Sequence, residues 1–528
     1  NVYPNVARIA FRDWGVNPGN FVAYDMGKSM FKADMMLSAS ETSFLNIYTD
    51  RDGNFHKGIH LDLDGILLKD WLVLSPFSPP IDGDLSGNIV LNYNDKYYWG
   101  IGSILVDRLA YGKNKIGDLG VELKLAMADE GSKLFARADM DLDKQRIMTL
   151  KGYKKDSLDM NELKLDLLVD RLPMKKMSAF LPENTGTVDG YLNGKMNIGG
   201  SVEAPTFNGY IQMDTASVSL PAFGTKLTFD SQPIPVDDGR VVFEDYDLYG
   251  VNGKPLSING FVDLNLSPDK IFTSLTMKGK EVQVVGGKKS GKAELYGKGF
   301  IDINSAVKGY LNDLDVKASL NVLAGTNLTY VYQSASMAIS EGYNEEVVKF
   351  VNFSDTTTIA ADTIEKHPYA LRIKAILMIE PNAVFNVLLS TDGKNKIQID
   401  GEGTLSYSQN DQGDMSLIGT YNINKGFVRY SPPMMSEKNF KFEEGSHITW
   451  TGNILNPQLS MKAVQSMKVN IGGGNQGSRS VPFDVILNVG NTLNSLAVTF
   501  DLSTDADMTI ANELSGMTAE QRSVQAMN

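Results

Sequence analysis

Between Thr187 and Leu266 apolar and polar residues alternate with a period of two. Val188, Leu192, Met196 and Ile198 stand at even positions, with Gly190 and Gly194 between them, while Asp189, Tyr191, Asn193, Lys195 and Asn197 hold the odd ones. Successive strand side chains point to opposite faces, so this pattern predicts a strand that is apolar on one face and wetted on the other. Gly199-Gly200 turns the chain, and Phe207, Ile211 and Met213 then alternate with Asn208, Tyr210, Gln212 and Asp214. Leu256, Ile258, Val262, Leu264 and Leu266 repeat the scheme, as do Leu314, Val316, Ala318, Leu320 and Val322. Ile397, Ile399, Leu405 and Tyr407 follow, then Leu417, Gly419, Tyr421 and Ile423. Val481, Phe483, Val485, Leu487 and Val489 form one more set, and Leu496, Val498, Phe500 and Leu502 the last. The fold class expected is all-β. The period serves a string of filled sandwiches as well as it serves an open groove.

A longer repeat is superimposed on the short one. Ile81-Asp82-Gly83-Asp84-Leu85-Ser86-Gly87-Asn88-Ile89 and Val188-Asp189-Gly190-Tyr191-Leu192-Asn193-Gly194-Lys195-Met196 share an order of residue types, 107 residues apart. Each follows a short helical stretch ended by prolines, one at Leu67–Leu72 and one at Leu172–Pro182. Repetition at this scale points to an elongated, solenoid-like body. The expected organisation is an N-terminal β segment over 1–80, repeated β units over 81–323, a strand plus a polar excursion over 324–369, a β module over 370–510, and the start of a helix over 511–528. Thr518 to Gln521 has the form of a capping box at that helix.

Composition narrows the function. The 528 residues carry a formal net charge of -13 and no long basic run, which argues against nucleic acid as a partner. There is no cysteine, hence no disulfide, thiolate metal site or cysteine nucleophile. No apolar run reaches the roughly 18–20 residues that span a bilayer. The chain begins at Asn1 and stops in helical sequence, and is read as a segment of a longer protein.

Candidate chemistry is sparse. Gly286 to Lys292 fits a phosphate-loop spacing, but Ala293 follows where Ser or Thr is needed, and the chain runs on as a strand, so a basic hairpin turn is expected. His56 and His60 are four apart in a strand pattern, about 13 Å from one another, too far to share a metal. Asp50 to Asn54 resembles the start of a calcium loop, yet its glycine is misplaced and Leu61 stands where the acidic ligand belongs. No cofactor, catalytic residue or metal ligand is expected, and the chain is read as a non-enzyme. Of the 23 methionines, Met196, Met213, Met415 and Met461 fit inward positions or their borders. They serve either as core filling or as a soft wall for flexible chains.

Glu443 to Leu459 and on to Ala463, with its Gly-turn strand, second strand and Asn456-Pro457-Gln458-Leu459 step, resembles the C-terminal module of the TamB family within the AsmA-like, bridge-like lipid transfer superfamily. Val202 to Gly209, Gly325 to Val331 and Gly516 to Arg522 resemble other segments of that module. The resemblance covers about residues 80–528; the first 80 residues and 334–366 match no pattern of the family. It implies an elongated, U-shaped, taco-like β-sheet trough with an apolar interior and a few short helices between repeats. It further implies a body crossing the periplasm of a Gram-negative cell, with an inner-membrane helix outside this segment and an outer-membrane barrel of the Omp85 class, TamA-like, at the C-terminal end. The function it implies is movement of phospholipid to the outer membrane, with support for outer-membrane protein assembly. The groove-lining residues would be Val188, Leu192, Met196, Ile198, Ile211, Met213, Leu256, Ile258, Val262, Leu264, Leu314, Val316, Leu320, Val322, Ile397, Ile399, Leu405, Leu417, Val485, Leu487, Val498 and Phe500. Two alternatives stand beside this one. One is a chaperone-like scaffold that pairs a barrel protein through an exposed edge near Val481–Leu502. The other is a surface β-solenoid or adhesin.

Overall fold

Period-two alternation becomes strand wherever the structure describes the chain. Among the described residues strand accounts for 74% and helix for 7%, so the chain is all-β. The computed structural model describes residues 6–9, 12–28, 30–50, 52–72, 79–93, 97–128, 132–156, 161–180, 186–202, 204–221, 224–264, 270–287, 295–331, 370–390, 392–431, 437–471 and 479–527. The polar excursion at 334–366 and the core of the basic turn, 288–292, lie outside the described residues. The chain divides into two compact units. The first is Asn1–Pro221, Lys226–Tyr249 and Ser257–Asn265; the second is Ala222–Thr225, Gly250–Leu256 and Leu266–Asn528.

The first unit begins with β1 (Val6–Ile9), β2 (Arg12–Val16), β3 (Phe21–Asp25), β4 (Met30–Ser40), β5 (Ser43–Tyr48), β6 (Gly58–Leu67) and helix α1 (Leu68–Leu72). Six long strands follow: β7 (Ile81–Tyr93), β8 (Tyr98–Tyr111), β9 (Asn114–Ala128), β10 (Lys133–Leu142), β11 (Gln145–Asp156) and β12 (Asn161–Pro173). After α2 (Met174–Met177) come β13 (Thr187–Gly200), β14 (Pro205–Leu220), β15 (Thr225–Phe229), β16 (Pro233–Asp237), β17 (Arg240–Tyr249) and β18 (Pro255–Asp263). From β4 to β14 each strand pairs antiparallel with the next, a meander whose connections are short except where α1 stands between β6 and β7 and α2 between β12 and β13.

The 107-residue correspondence extends to backbone detail. Gly83 and Gly190 both have positive φ, and each accepts a turn in which its N–H donates to the preceding aspartate, Asp82 or Asp189, at 2.9 Å. Opposite them, Arg108 and Thr215, again 107 apart, hold φ of 55° and 49°. Helices α1 and α2 precede the two copies, and Trp71 of α1 meets Trp14 edge-on at 6.0 Å.

The second unit contains β19 (Phe272–Val285), β20 (Leu295–Tyr310), β21 (Asp313–Val322), β22 (Asn327–Val331), β23 (Ala370–Leu388), β24 (Lys396–Gln409) and β25 (Met415–Tyr430). It ends with β26 (Lys438–Phe442), β27 (His447–Gly452), β28 (Gln458–Ile471), β29 (Arg479–Thr492), β30 (Ala497–Ser503), α3 (Met508–Ser515) and α4 (Ala519–Met527). Here β23 runs parallel to both β21 and β22. Parallel neighbours need a crossover of a dozen or more residues. The 38 residues between β22 and β23, 332–369, are long enough for one and lie outside the described residues. Arg372 pins the start of that pairing, with nitrogens 2.6 Å from Asp313 and 2.7 Å from Asp315.

Bulges set the phase of the apolar pattern. Leu63 and Ile66, Val106 and Leu109, Val169 and Leu172, and Gly279 and Val282 are each three apart, yet both members pair with apolar-face partners or glycine. One extra residue with positive φ restores the phase: Gly65, Arg108, Arg171 or Glu281. The non-glycine bulge residues are held by a side chain on the next strand. Arg108 N–H donates to Asp118 Oδ1 at 2.9 Å, Arg171 N–H to Asn193 Oδ1 at 2.8 Å, and Glu281 N–H to Asp302 Oδ1 at 2.8 Å. Asp245 and Asn382 repeat the device with Asn259 and Asp400. The bond, charge-assisted where the acceptor is Asp118, Asp302 or Asp400, offsets a backbone conformation that ordinarily costs about 1–3 kcal/mol. In the first unit these breaks sit on neighbouring strands around Ile66, Leu85, Val106, Leu119 and Leu142, which pair in succession. A bulge bends its strand, so the strands there bend along one line.

Candidate functional site

Residues directly opposite one another in neighbouring strands share a face. Following the register therefore shows what one face of each unit is made of. In the first unit the line Val16, Leu37, Leu45, Leu63, Gly87, Ile104, Val121, Met140, Met148, Val169, Gly194, Ile211 and Ile234 crosses thirteen strands through successive partners. It contains no polar side chain. The adjoining line from Met35 through Ile47, Leu61, Ile89, Leu123, Leu150, Leu167 and Met196 to Val236 is equally apolar. Toward the hairpin turns Lys154, between Leu134 and Leu163, puts a cation on this face.

Most of these residues are half-buried: Leu37, Leu45, Leu63, Ile104, Val121, Met140, Met148 and Ile211 all retain solvent contact. The face is filled in two places. Ile116, Leu142, Ile147 and Ala179 form one core where the chain after α2 packs on the bent strands, and Ile234, Val236, Val241 and Tyr246 form another with Phe207, Ile211 and Val262.

In the second unit, Val282, Ile301, Val322, Ile379, Gly403, Tyr421, Ile448 and Leu459 cross eight strands. The next partner is Asn491, where the line ends. Tyr421 is 3% exposed, and its hydroxyl has no hydrogen-bond partner among the described residues. Burial pushes that phenol above its ordinary pKa and keeps it neutral. Ser305 Oγ, two rows further along the same face, is likewise buried and without a partner among the described residues.

The opposite face of the first unit is mixed, with Trp99, Ile101, Leu105 and Leu168 exposed among polar side chains that are cross-linked. Asn197 donates to Asp166 at 2.6 Å, and Asp139 is held by Arg137 at 2.7 Å, Thr149 at 2.8 Å and Arg146 at 3.0 Å. The Arg137 guanidinium, with Thr149 and Arg146 behind it, holds the Asp139 carboxyl below the usual carboxylate range.

The positions singled out from sequence fall as follows. Val188, Leu192, Met196 and Ile198 lie on the apolar face of β13, opposite Val218, Met213, Gly209 and Phe207. Leu314, Val316, Leu320 and Val322 face Leu371, Ile373, Leu377 and Ile379. Ile397, Ile399 and Leu405 face Val387, Phe385 and Leu377, and Leu417 faces Tyr407. Val485 and Leu487 face Leu502 and Phe500, and are buried, as are Leu256 and Ile258. Val498 is 46% exposed, and Leu264 lies past the end of β18, 37% exposed. Met415 opens β25 and is 58% exposed, outside any core. Strand β29 is paired by β28 over its length and by β30 over Asp484–Gly490, so the free edge beyond it is that of β30 and not of β29's centre. His60 is in β6, stacked on Tyr48, while His56 Nε2 sits 2.6 Å from Asp52 in the turn. No group of metal-ligating residues occurs among the described residues. Strands β4 to β12 add more of this face than was singled out; the same alternation marks them, but bulges interrupt its phase.

A family model, TamB C-terminal domain, matches residues 243–520, just over half of the chain. The chain belongs to the TamB family. No curated protein matches it. Membership makes this TamB chain part of the translocation and assembly module, a protein of the cell envelope whose family works with an outer-membrane partner. The match begins within β17 and ends in α4, so it takes in all of the second unit's strands. No helix among the described residues is long and apolar enough to cross a membrane.

Proposed function

We propose that this TamB segment carries phospholipid along its apolar face, as a non-catalytic conduit within a periplasm-spanning body anchored at the inner membrane. An Omp85-class, TamA-like barrel would receive the C-terminal end, where outer-membrane protein assembly is supported. The reading rests on one observation, the uncharged lines of partners across thirteen strands and eight strands. Each methylene exposed to water costs about 0.8 kcal/mol, so two acyl chains need apolar contact at every step of the way. A polar gap of even one strand would stall them. The half-exposure of Leu37, Leu45, Leu63, Ile104, Val121, Met140 and Met148 leaves room for a guest that a filled core lacks. Lipids that co-purify with the segment, identified by mass spectrometry, test the proposal: bound phospholipid is expected, and its absence from protein extracted without detergent counts against it.

One observation favours a scaffold reading beside it. Strand β30 pairs only with β29 among the described strands, and Leu496 and Val498 at its start are exposed. An edge of this kind accepts a further strand. Photocrosslinkers at Ala497 and Thr499 would capture a barrel strand under that reading and nothing under lipid conduction alone.

A further inference from the structure

We infer that the α3–α4 hairpin is a resident plug on the C-terminal end of the apolar face, occupying the place of acyl chains and releasing it when displaced. This inference rests on the lipid reading above and adds its regulation. Beneath the hairpin burial of the apolar face is nearly complete, as it is at Val282 and Leu459 on the second unit's line, whereas Ile301, Val322 and Ile379 on that line stay half-buried. Ala463 is 1% exposed, Val481 4% and Val485 6%. What covers them is helical. Leu514, Ile510 and Met517 pack on Val481 and Phe483, and Ala526 packs on the cluster of Phe440, Ala463, Val485 and Leu487. The covered residues belong to the same face as the open line, because Leu459 and Ala463 alternate on β28 and Ala463 pairs with Leu487.

The hairpin is built to hold by a few polar ties. Asp507 caps α3 through the N–H groups of Thr509 at 3.0 Å and Ile510 at 3.3 Å, and pairs with Arg479. Arg522 reaches from α4 to Asp501 on β30 at 2.6 Å and to the Met517 carbonyl at 2.8 Å. Thr518 and Gln521 close the reciprocal capping box. Helices of eight and nine residues are marginal in isolation, so they persist here through packing and these ties. Met508 and Val524, 74% and 55% exposed, give the hairpin apolar side chains away from the sheet as well.

The absence of cysteine makes the test clean. Leu514→Cys with Phe483→Cys is bridged by a short bismaleimide. Bridged and unbridged samples of this one variant are then exposed to vesicles of phosphatidylethanolamine and phosphatidylglycerol containing a phospholipid with a photoreactive acyl chain. Bridging is expected to cut labelling of β28–β30 peptides about fivefold or more, while β8–β9 peptides stay labelled. Equal labelling of β28–β30 in both samples overturns the plug. Loss of label from β8–β9 in every sample refutes the lipid reading instead. The plug is then judged on thiol accessibility. Maleimide should modify Leu487→Cys several-fold faster when combined with Arg522→Ala than alone, and an unchanged rate overturns it.

Discussion

Val121 lies in the middle of the uncharged line, half-buried between Ile104 and Met140. Val121→Asp puts a carboxylate on the apolar face without touching a bulge, a turn or a filled core. A strand spacing of about 4.8 Å corresponds to roughly four methylenes of an extended acyl chain, and at about 0.8 kcal/mol each the lost contact is on the order of 3 kcal/mol. As an added barrier to passage this slows transfer by about two orders of magnitude. The control is Ser103→Asp, which lies on the opposite, solvent-exposed face of β8 between Asn88 and Glu122 and should leave transfer within about twofold. The assay is transfer of a fluorescent phospholipid between donor and acceptor vesicles, with thermal unfolding and circular dichroism run on each variant. A folded Val121→Asp protein that transfers lipid as fast as the parent would refute the reasoning. Slowing by both variants alike would show that charge, not the face it sits on, is responsible.

Replacing the bulge clamps should loosen single strands. Asn193→Ala removes the acceptor of the Arg171 N–H, a bond worth about 1 kcal/mol net, so hydrogen exchange at Arg171 should speed about fivefold with little change elsewhere. Gly190→Ala meets both a φ of +94° and a Cβ position 2.5 Å from the Ala216 Cα, and should destabilise the first unit by about 2–4 kcal/mol, read as a lower unfolding midpoint in urea. Asp139→Asn tests the polar face. Because the folded carboxyl is held below its ordinary value, its stabilisation is present above the usual carboxylate range and fades as pH falls through the lower folded value. The variant should therefore melt below the parent near pH 7, and the gap should close progressively below about pH 4. A gap that is constant with pH would assign the loss to packing instead.

Alternation by twos was enough to make the chain all-β and to mark one side of each strand as apolar, because side-chain direction in a strand follows from backbone geometry alone. The likeness of 443–463 to the TamB module was also present in the residues themselves, as a run of turn glycines, Asn-Pro and apolar positions at fixed spacing. What lay beyond the reach of sequence was the joining of those sides. Whether Val121 stands beside Ile104 or one residue off depends on register, and register depends on bulges at Arg108 and Arg171 that no local preference for positive φ announces. Their signal was only a slip of three in place of two, as in Val169 to Leu172, beside an aspartate or asparagine on the following strand. The parallel return of β23 and the packing of α3–α4 onto β28 and β29 are likewise tertiary. They bring together segments tens of residues apart, which pair because of the surfaces they bury and not because of any pattern that either carries alone.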